Sequence, residues 1–351
     1  MRDIKIGKYT IGENRPVFII GEAGVNHNNN LGLAKKLVDA AADAGLDAVK
    51  FQTWKTERLV TRKAPKAQYQ KETTGAEGNQ FEMIKKLEMS YDDFIELKKY
   101  CDKKRIMFLS TPDEEESADF LDKLGVPAFK MSSGEMTNQR MLRHIASKGK
   151  PLILSTGMAT MEMVKKAVSV LEGVGFKDYI LLHCNANYPT KYEDVNLKAM
   201  LTMIREFPDT PIGYSDHTMG LSVPVASAAL GARVIEKHFT LDKTMEGPDH
   251  SSSIEPHELK QMVQMIRETE EALGSSRKMI TKSEQGNIGV MRKVIVAKDH
   301  IKAGETITSD KIAMKRAGWS GLPPEDEEKV LGKRARRDLE EDEIILKEDI
   351  E

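Results

Sequence analysis

Eight short apolar runs, separated by longer amphipathic segments, most constrain how this chain can fold. The runs begin at residues 17, 47, 106, 127, 151, 179, 211 and 232 and are four to eight residues long, as buried strands are. Most segments between them repeat apolar residues every three or four positions, which predicts helices, and several end in AG, LG or KG just before the next run. Eight strand–helix units between residues 17 and 273 match an α/β fold of the (β/α)8 TIM-barrel type, which we predict. A doubly wound open sheet is the alternative.

The last third of the chain has a different pattern and predicts a second domain. Residues 282–289, KSEQGNIG, are polar and predict a linker between a barrel domain over 1–281 and a small β-rich domain over 290–351. Within the small domain, HIKAGETITSDKI (300–312) and DLEEDEIILKEDI (338–350) share one pattern of turn and alternating apolar residues. We expect two related turn–strand units in a pseudo-twofold arrangement; chance similarity between two charged hairpins is the alternative.

Composition argues against several classes of protein. A formal net charge of −2 gives no reason to expect a nucleic-acid or membrane partner. Two cysteines, Cys101 and Cys184, without CxxC spacing argue against a disulfide framework and a structural zinc site. The first residues are charged and lack the apolar core of a signal peptide, and no apolar run approaches about 18 residues. We therefore expect a cytoplasmic protein.

Polar side chains end every predicted strand, where a packed core would reject them. In a barrel, catalytic residues come from the carboxyl ends of the strands and from the loops that follow. The candidates that the apolar runs place there include Glu22, Gln52, Thr111, Ser133, Ser155, Tyr188, His217 and His238.

Two lysines, Lys50 and Lys130, lie inside otherwise apolar strands. Together with the hydroxyls of Thr111, Ser133 and Ser155, two ammonium groups could hold a phosphate, or a compact substrate carrying both phosphate and carboxylate. The alternative is that each lysine reaches the surface or pairs with a carboxylate in the barrel.

Two histidines, His217 and His238, end adjacent predicted strands, so their imidazoles could share a point at the barrel mouth. Two imidazoles with nearby carboxylates and water suit a divalent cation such as Mn²⁺, Co²⁺ or Zn²⁺. Without a third spaced histidine or cysteine, zinc is the least favoured of the three. The alternative is that both histidines only form hydrogen bonds. His144, in an amphipathic segment, is expected on a helix surface, and His250 receives no role.

At these positions the chain resembles the sialic acid synthase family, which comprises the phosphoenolpyruvate-condensing synthases of N-acetylneuraminate, legionaminate and pseudaminate. The matching motifs, in order, are GEAGVNH, VKFQT, LSTP, FKMSSGE, LSTGMAT, LLHCNANYPT, GYSDHT and EKHFTLDKTMEGPDHSSSIEP. The C-terminal region, with MKRAG at 314–318, resembles the antifreeze-like (SAF) domain of that family. The resemblance covers almost the whole chain.

The resemblance implies a reaction and a role for each motif residue. Phosphoenolpyruvate would condense with an N-acetylated amino sugar, N-acetylmannosamine first, and water to give N-acetylneuraminate and phosphate. The alternatives are legionaminic or pseudaminic acid synthesis from a 2,4-diacetamido sugar, or synthesis of sialic acid 9-phosphate. The implied phosphoenolpyruvate-binding residues are Lys50, Thr111, Lys130, Ser133 and Ser155, and the implied sugar-binding residues are Gln52, Tyr188, Asp249 and Arg316.

The resemblance also implies a metal and an oligomer. His217 and His238 would bind a divalent cation, Mn²⁺ being preferred over Mg²⁺ or Co²⁺, and His238 would thereby be catalytic. Glu22 is the catalytic carboxylate expected to handle protons or to orient the aldehyde and water. Arg316 would reach the site of a neighbouring subunit in a domain-swapped homodimer.

Two positions depart from the family pattern. Where some members carry a phosphate-binding asparagine, this chain has Ala186, and the usual KRPG is KRAG here. A metal-dependent barrel hydrolase or a Schiff-base aldolase fits the paired lysines less well than a synthase does. A non-enzymatic sugar- or ice-binding protein would not require the polar strand ends.

Overall fold

The computed structural model describes residues 1–75, 77–318 and 321–351. The chain divides into two compact units, Met1–Gly274 and Ser275–Glu351. In the first unit a hairpin of β1 (Ile4–Ile6) and β2 (Tyr9–Ile11) precedes eight parallel strands. These are β3 (Phe18–Gly24), β4 (Ala48–Thr53), β5 (Met107–Pro112), β6 (Phe129–Met131), β7 (Leu152–Ser155), β8 (Tyr179–Cys184), β9 (Ile212–Asp216) and β10 (Val234–His238).

The eight strands form a barrel. Their order is β5-β4-β3-β10-β9-β8-β7-β6, and β5 and β6, at the two ends of this order, contact each other. The predicted (β/α)8 fold is therefore confirmed, and the open sheet is excluded.

Helices follow the strands along the chain, and most of them cover the outside of the barrel. They are α1 (Leu31–Asp43), α2 (Thr56–Leu59), α3 (Gln68–Thr74), α4 (Gln80–Leu87), α5 (Tyr91–Lys104), α6 (Glu115–Leu124), α7 (Gln139–Ala146), α8 (Met161–Gly173), α9 (Lys198–Glu206), α10 (Ser222–Ala229) and α11 (Pro256–Leu273). Local signals set their ends: Asn30 accepts a hydrogen bond from Leu33 N to start α1, and α6 stops at Gly125, whose φ is 80°.

At the amino ends of the strands, the side chains that point into the barrel are apolar. They include those of the buried residues Phe18, Ile20, Ala48, Leu109, Ala128, Ile153, Ile180, Leu182 and Val234. The hairpin β1–β2, which the sequence analysis did not predict, packs Ile4, Ile6 and Ile11 onto this layer. The amino end of the barrel is thereby sealed.

On six of the strands, the inward side chain two residues after one of these apolar residues is polar. Because successive side chains alternate between the two faces of a strand, positions two apart share a face. The six polar residues are Glu22, Lys50, Thr111, Lys130, Ser155 and Glu236, and all six are buried.

The second unit is small and rich in β-structure. It contains α12 (Lys282–Met291), antiparallel strands β11 (Val294–Ala297) and β12 (Ile312–Lys315), and α13 (Glu327–Val330). The residues predicted as a linker, 282–289, are helical; the domain boundaries stay a prediction.

The predicted pair of related units is confirmed in the second unit. Ile301 and Leu339, at equivalent positions of the two segments, exchange hydrogen bonds: Ile301 N donates to Leu339 O (2.9 Å) and Leu339 N to Ile301 O (2.8 Å). Each segment also has a left-handed turn residue at the equivalent position, Gly304 (φ 78°) and Asp342 (φ 65°).

In the described ranges, no helix is long and apolar enough to cross a membrane. This finding does not test the predicted cytoplasmic location, which stays a prediction.

Candidate active site

A cavity of about 450 Å³ lies at the carboxyl ends of the barrel strands. Of the predicted site residues, eleven line it: Glu22, Lys50, Gln52, Thr111, Lys130, Ser133, Ser155, Tyr188, His217, His238 and Asp249. A larger groove of about 990 Å³ borders the hairpin β1–β2 and includes none of these residues. The twelfth, Arg316, is exposed in the second unit.

The deep end of the cavity contains both lysines, each bound to a hydroxyl and to a carboxylate. Lys50 Nζ donates to Thr111 Oγ1 (3.0 Å) and lies 2.6 Å from Glu22 Oε2. Lys130 Nζ donates to Ser155 Oγ (2.8 Å) and lies 3.4 Å from Glu236 Oε1. The lysines therefore line the cavity and pair with barrel carboxylates, as the alternative interpretation expected, and a phosphate site at the lysines stays a prediction.

Burial and neighbouring charges shift the pKa values of these groups in different directions. Burial raises the pKa of Glu22 to about 7, although the ammonium of Lys50 acts against this rise. Burial would also raise the pKa of Glu236, but Lys130 and Lys50 together hold it below its ordinary value. Burial lowers the pKa of Lys130. Glu22 is thus a carboxyl poised to exchange a proton near neutral pH.

Ser133 and its neighbours complete this end of the site. The hydroxyl of Ser133 accepts a hydrogen bond from Gly157 N (2.9 Å), which fixes the loop after β7. Ala186 also lines the cavity, and the resemblance places a phosphate-binding asparagine of some members at this position. Neither adjacent asparagine replaces that contact, because the side-chain NH₂ of Asn185 donates to Asp194 O (3.1 Å) and that of Asn187 to Pro189 O (3.0 Å).

The two histidines are neighbours, with their ring centroids 5.2 Å apart and their planes tilted by 56°. His217 Nδ1 lies 2.5 Å from the carbonyl oxygen of Asn185, so Nδ1 donates and Nε2 keeps its lone pair. His238 Nδ1 is buried without a hydrogen-bond partner in the part of the chain that the structure describes, and Asp249 Oδ2 lies 3.9 Å away. Burial lowers the pKa of His238 well below its usual value. Two imidazoles with a carboxylate nearby fit a divalent cation.

A second group of possible metal ligands has another explanation. Side-chain ligand atoms of Glu255, His257 and Glu258 lie within 4.8 Å of one another. However, Glu258 Oε2 accepts from Glu255 N (2.8 Å) at the start of α11 and lies 2.5 Å from Lys243 Nζ. These contacts make the group a helix cap.

An aromatic stack covers the histidines on the outer side. The ring of Tyr188 lies 4.0 Å from that of His217 and 5.4 Å from that of His238. Tyr69, from α3, also stacks on Tyr188, with centroids 5.3 Å apart and an angle of 25°. The wall of the cavity therefore continues from the histidines through Tyr188 to Tyr69.

A buried ion pair behind the histidines fixes their backbone. Asp216 and Lys237 directly precede His217 and His238, and alternation turns their side chains away from the cavity. Lys237 Nζ lies 2.5 Å from Asp216 Oδ2, and both side chains are 0% exposed. Lys237 Nζ also donates to the carbonyl oxygen of Thr218, whose own N donates to Asp216 Oδ1 (3.2 Å). The ends of β9 and β10 are thus joined.

His250 anchors the loop that carries Asp249. Its Nδ1 forms a hydrogen bond with Thr240 Oγ1 (2.6 Å), and its Nε2 lies 3.3 Å from Asn28 Oδ1. Gly247 must be glycine here, because its φ is 154° and an added Cβ would lie 2.6 Å from the His250 ring. His144 lies in α7, 2.8 Å from Asp119 Oδ1.

Sequence reasoning gave no role to several residues that line the cavity. They are Tyr69, Gln70, Gln80, Asp113, Ser215 and Glu236. The sequence does place Ser215 and Glu236 at the polar ends of their strands, and Glu236 shares the face of His238, which it precedes by two residues. The residues of α3 and α4 gave no such signal, because they lie in a long segment between two strands.

Comparison with known proteins identifies the family. A model of the NeuB family matches residues 37–278. The chain belongs to the NeuB family. A model of the SAF domain matches residues 292–351. The predicted resemblance is confirmed, and with it the identification as a phosphoenolpyruvate-dependent, C–C bond-forming enzyme.

Named relatives in the NeuB family are similar over nearly their whole length. The chain is 46% identical to the N,N'-diacetyllegionaminic acid synthase of Campylobacter jejuni, covering 94% of this chain and 99% of that protein. It is 37% identical to the N-acetylneuraminate-9-phosphate synthase of Mus musculus, covering 97% and 94%. The crystal structure of the N-acetylneuraminic acid synthetase of Leptospira borgpetersenii, in complex with citrate, is similar with a TM-score of 0.72, at 36% identity, over 82% of this chain and 95% of that one.

Proposed function

We propose that this enzyme condenses phosphoenolpyruvate with the aldehyde of an N-acylated amino sugar and water, giving a nine-carbon 2-keto sugar acid and phosphate. The observation that carries the proposal is that two buried lysines and two adjacent histidines face one cavity at the carboxyl ends of the strands. A hydrolase would need neither lysine. A Schiff-base aldolase would need one free lysine, whereas both lysines here contact hydroxyls and carboxylates.

Phosphoenolpyruvate binds at the deep end in this proposal. Lys50 and Lys130 supply two ammonium groups, and Thr111, Ser133 and Ser155 supply hydroxyls. Because the amides of Asn185 and Asn187 donate to loop carbonyls, the lysines and hydroxyls bear the phosphate contacts without help from β8.

The two histidines hold a divalent cation, and Mn²⁺ is the proposed ion with Mg²⁺ or Co²⁺ as alternatives. Imidazole donors favour Mn²⁺ or Co²⁺ over Mg²⁺. When bound, the cation polarises the aldehyde oxygen of the acceptor. The hydrogen bond from His217 Nδ1 to Asn185 O and the Lys237–Asp216 pair keep the two imidazoles in position for this.

Glu22 handles the proton in the addition of water. Its carboxyl is fixed on both sides, because Gln52 Nε2 donates to Oε1 (2.8 Å) and Lys50 Nζ lies at Oε2. C3 of phosphoenolpyruvate attacks the aldehyde carbon, whose oxygen takes up a proton and becomes a hydroxyl. Water then adds at C2 and loses a proton to Glu22, which replaces the proton taken up by the aldehyde oxygen. The tetrahedral carbon expels phosphate by cleavage of its C–O bond, and its hydroxyl gives its proton to the departing phosphate, which leaves the 2-keto group.

The acceptor sugar occupies the outer half of the cavity, against Gln52, Tyr188 and Asp249. N-acetylmannosamine, giving N-acetylneuraminate, is the first candidate. A 2,4-diacetamido sugar is the second candidate. The observation in support of this second candidate is that the chain is 46% identical to a named diacetyllegionaminic acid synthase but 37% identical to a named N-acetylneuraminate-9-phosphate synthase.

Arg316 completes the outer end from a partner subunit in the proposed domain-swapped homodimer. A complementation assay tests this. Lys130→Met and Arg316→Ala subunits, each inactive alone, should regain activity when they are unfolded together and refolded as a mixture. Activity that does not return, although each variant refolds alone as a dimer, would contradict the exchange.

The primary test measures acceptor-dependent phosphate release. EDTA-stripped protein receives phosphoenolpyruvate, Mn²⁺ and either N-acetylmannosamine or a 2,4-diacetamido sugar, and the 2-keto acid is identified by mass. Release is expected to need sugar and metal together. Lys130→Met should abolish it, while Lys165→Met, which changes an exposed lysine paired with Glu206, should not. Failure of phosphoenolpyruvate to bind would refute the proposal.

A further inference from the structure

Tyr69 belongs to a segment, residues 54–90, that crosses from β4 to α5 and reaches the cavity. The segment is tethered by backbone contacts: Lys66 Nζ donates to Gly75 O (3.0 Å) and Glu77 O (2.8 Å), and Gln80 N donates to Ala64 O (2.9 Å). Gln70 Oε1 accepts from Ala67 N (2.9 Å) at the start of α3. These bonds shape the segment from within, and the contact with Tyr188 places the ring of Tyr69 at the cavity.

The location of Tyr69 within the cavity is distinctive. Its ring is the last in the series of ring contacts that begins at His217 and continues through Tyr188. Tyr69 is only half-buried and lines the cavity, so one side of its ring faces the space that a ligand would fill. A tyrosine whose purpose is core packing would be enclosed on both faces.

The hydroxyl of Tyr69 is available as a donor toward that space. It accepts a hydrogen bond from Gln70 Nε2 (3.3 Å), which leaves its own hydrogen free. Burial and the nearby carboxylate of Asp249 raise the pKa of Tyr69 above its ordinary value, so the hydroxyl stays protonated. An apolar ring face beside a free hydroxyl is the arrangement that binds the C–H face and an oxygen of a sugar.

We propose that Tyr69 is an acceptor-binding residue that helps to determine which amino sugar the enzyme accepts. The inference rests on the function proposed above. The ring of Tyr69 packs against the carbon chain of the sugar beyond the aldehyde, and the hydroxyl donates to an oxygen there, either a sugar hydroxyl or the carbonyl of a second acylamino group. Gln80 also lines the cavity, and its Nε2 lies 3.5 Å from Oε1 of Gln70, the residue after Tyr69.

Steady-state kinetics of Tyr69→Phe and Tyr69→Ala test the proposal in the Mn²⁺-loaded full-length enzyme. Tyr69→Ala should raise the KM for the acceptor about tenfold, as expected for loss of one aromatic contact and one hydrogen bond, while the KM for phosphoenolpyruvate stays the same. Tyr69→Phe keeps the ring and its stacking on Tyr188, so it should change the ratio of kcat/KM between N-acetylmannosamine and a 2,4-diacetamido sugar. Tyr192→Ala, an exposed tyrosine that does not line the cavity, serves as the control.

The possible outcomes separate this inference from the proposed function. If the wild type releases phosphate with an acceptor but both Tyr69 variants keep its acceptor KM and acceptor ratio, the role of Tyr69 is refuted and the function stands. If both acceptors lose kcat equally with no change in ratio, Tyr69 acts only by supporting Tyr188, and the proposal is also refuted. If the wild type turns over no acceptor, the proposed function fails and the inference with it.

Discussion

Replacing Lys237 by Met should destabilise the protein strongly, and a second substitution should recover much of the loss. Lys237 and Asp216 are both 0% exposed, so Lys237→Met leaves a buried carboxylate without its cation. Breaking one side of a buried pair costs about 3–5 kcal/mol. In the double variant Lys237→Met/Asp216→Asn no charge is buried, and the amide oxygen still accepts from the N and Oγ1 of Thr218. We therefore expect a coupling of at least about 2 kcal/mol between the two sites.

Urea unfolding in EDTA gives the free energies, and calorimetric titration with Mn²⁺ gives the metal affinity. Because the pair joins the strand ends that carry His217 and His238, Lys237→Met should also weaken Mn²⁺ binding. Lys243→Met, which breaks a partly exposed pair with Glu258, is the control and should change stability by no more than about 1 kcal/mol. A double variant as unstable as Lys237→Met would refute the reasoning, since the buried charge could not then be the cause.

Three further predictions address the cavity. Mn²⁺ should raise the affinity for phosphoenolpyruvate about tenfold or more. Four carboxyls, of Glu22, Asp113, Glu236 and Asp249, line the cavity with two lysines, so an added cation should favour binding of an anionic ligand. Equal affinities by calorimetry with and without Mn²⁺ would contradict this. Burial raises the pKa of Asp113 to about 7, above its unfolded value near 3.9, so its stabilising effect is full below about pH 4 and lost as pH rises through 7. Between pH 5 and 8, which span this pKa, the thermal midpoint of the metal-free Asp113→Asn variant should therefore change less than that of the wild type. An equal change in both proteins would disprove the raised pKa of Asp113. Gly247→Ala should raise the acceptor KM by displacing His250 and hence Asp249, whereas Gly173→Ala, where a Cβ meets nothing within 4 Å, should leave it unchanged.

The barrel and most of its site were predictable because one pattern determines both. Apolar runs of strand length located all eight barrel strands, and the polar residue at the end of each run located the cavity. The hairpin β1–β2 was missed because its strands are three residues long and lie among charged residues. Tyr69 was missed because α3 has seven residues and its contact with Tyr188 joins positions 119 apart in the sequence, which no local pattern encodes.

The partners of the lysines depend on register, which the sequence does not display. Glu22 and Lys50 are partners in the β3–β4 ladder, so their ion pair follows once that register is known. Glu236 lies within 4 Å of both lysines. Yet Lys130 is on β6, which lies four strands away from β10, the strand of Glu236. That contact arises only when the sheet closes, because closure brings inward side chains from distant strands to one point.

Strand register also explains why the chemistry depends on the apolar layers around it. On β4, Val49 and Phe51 pack outward among the residues of the main core, while Ala48 and Lys50 point inward. A shift of one residue would exchange these faces, placing Phe51 in the cavity and burying the ammonium of Lys50 among the helices without Glu22. The outward core therefore selects one register, and this register places two lysines, two carboxylates and two histidines around one cavity. Substitutions in the outward layer that loosen β4 should for this reason impair phosphoenolpyruvate binding before they unfold the barrel.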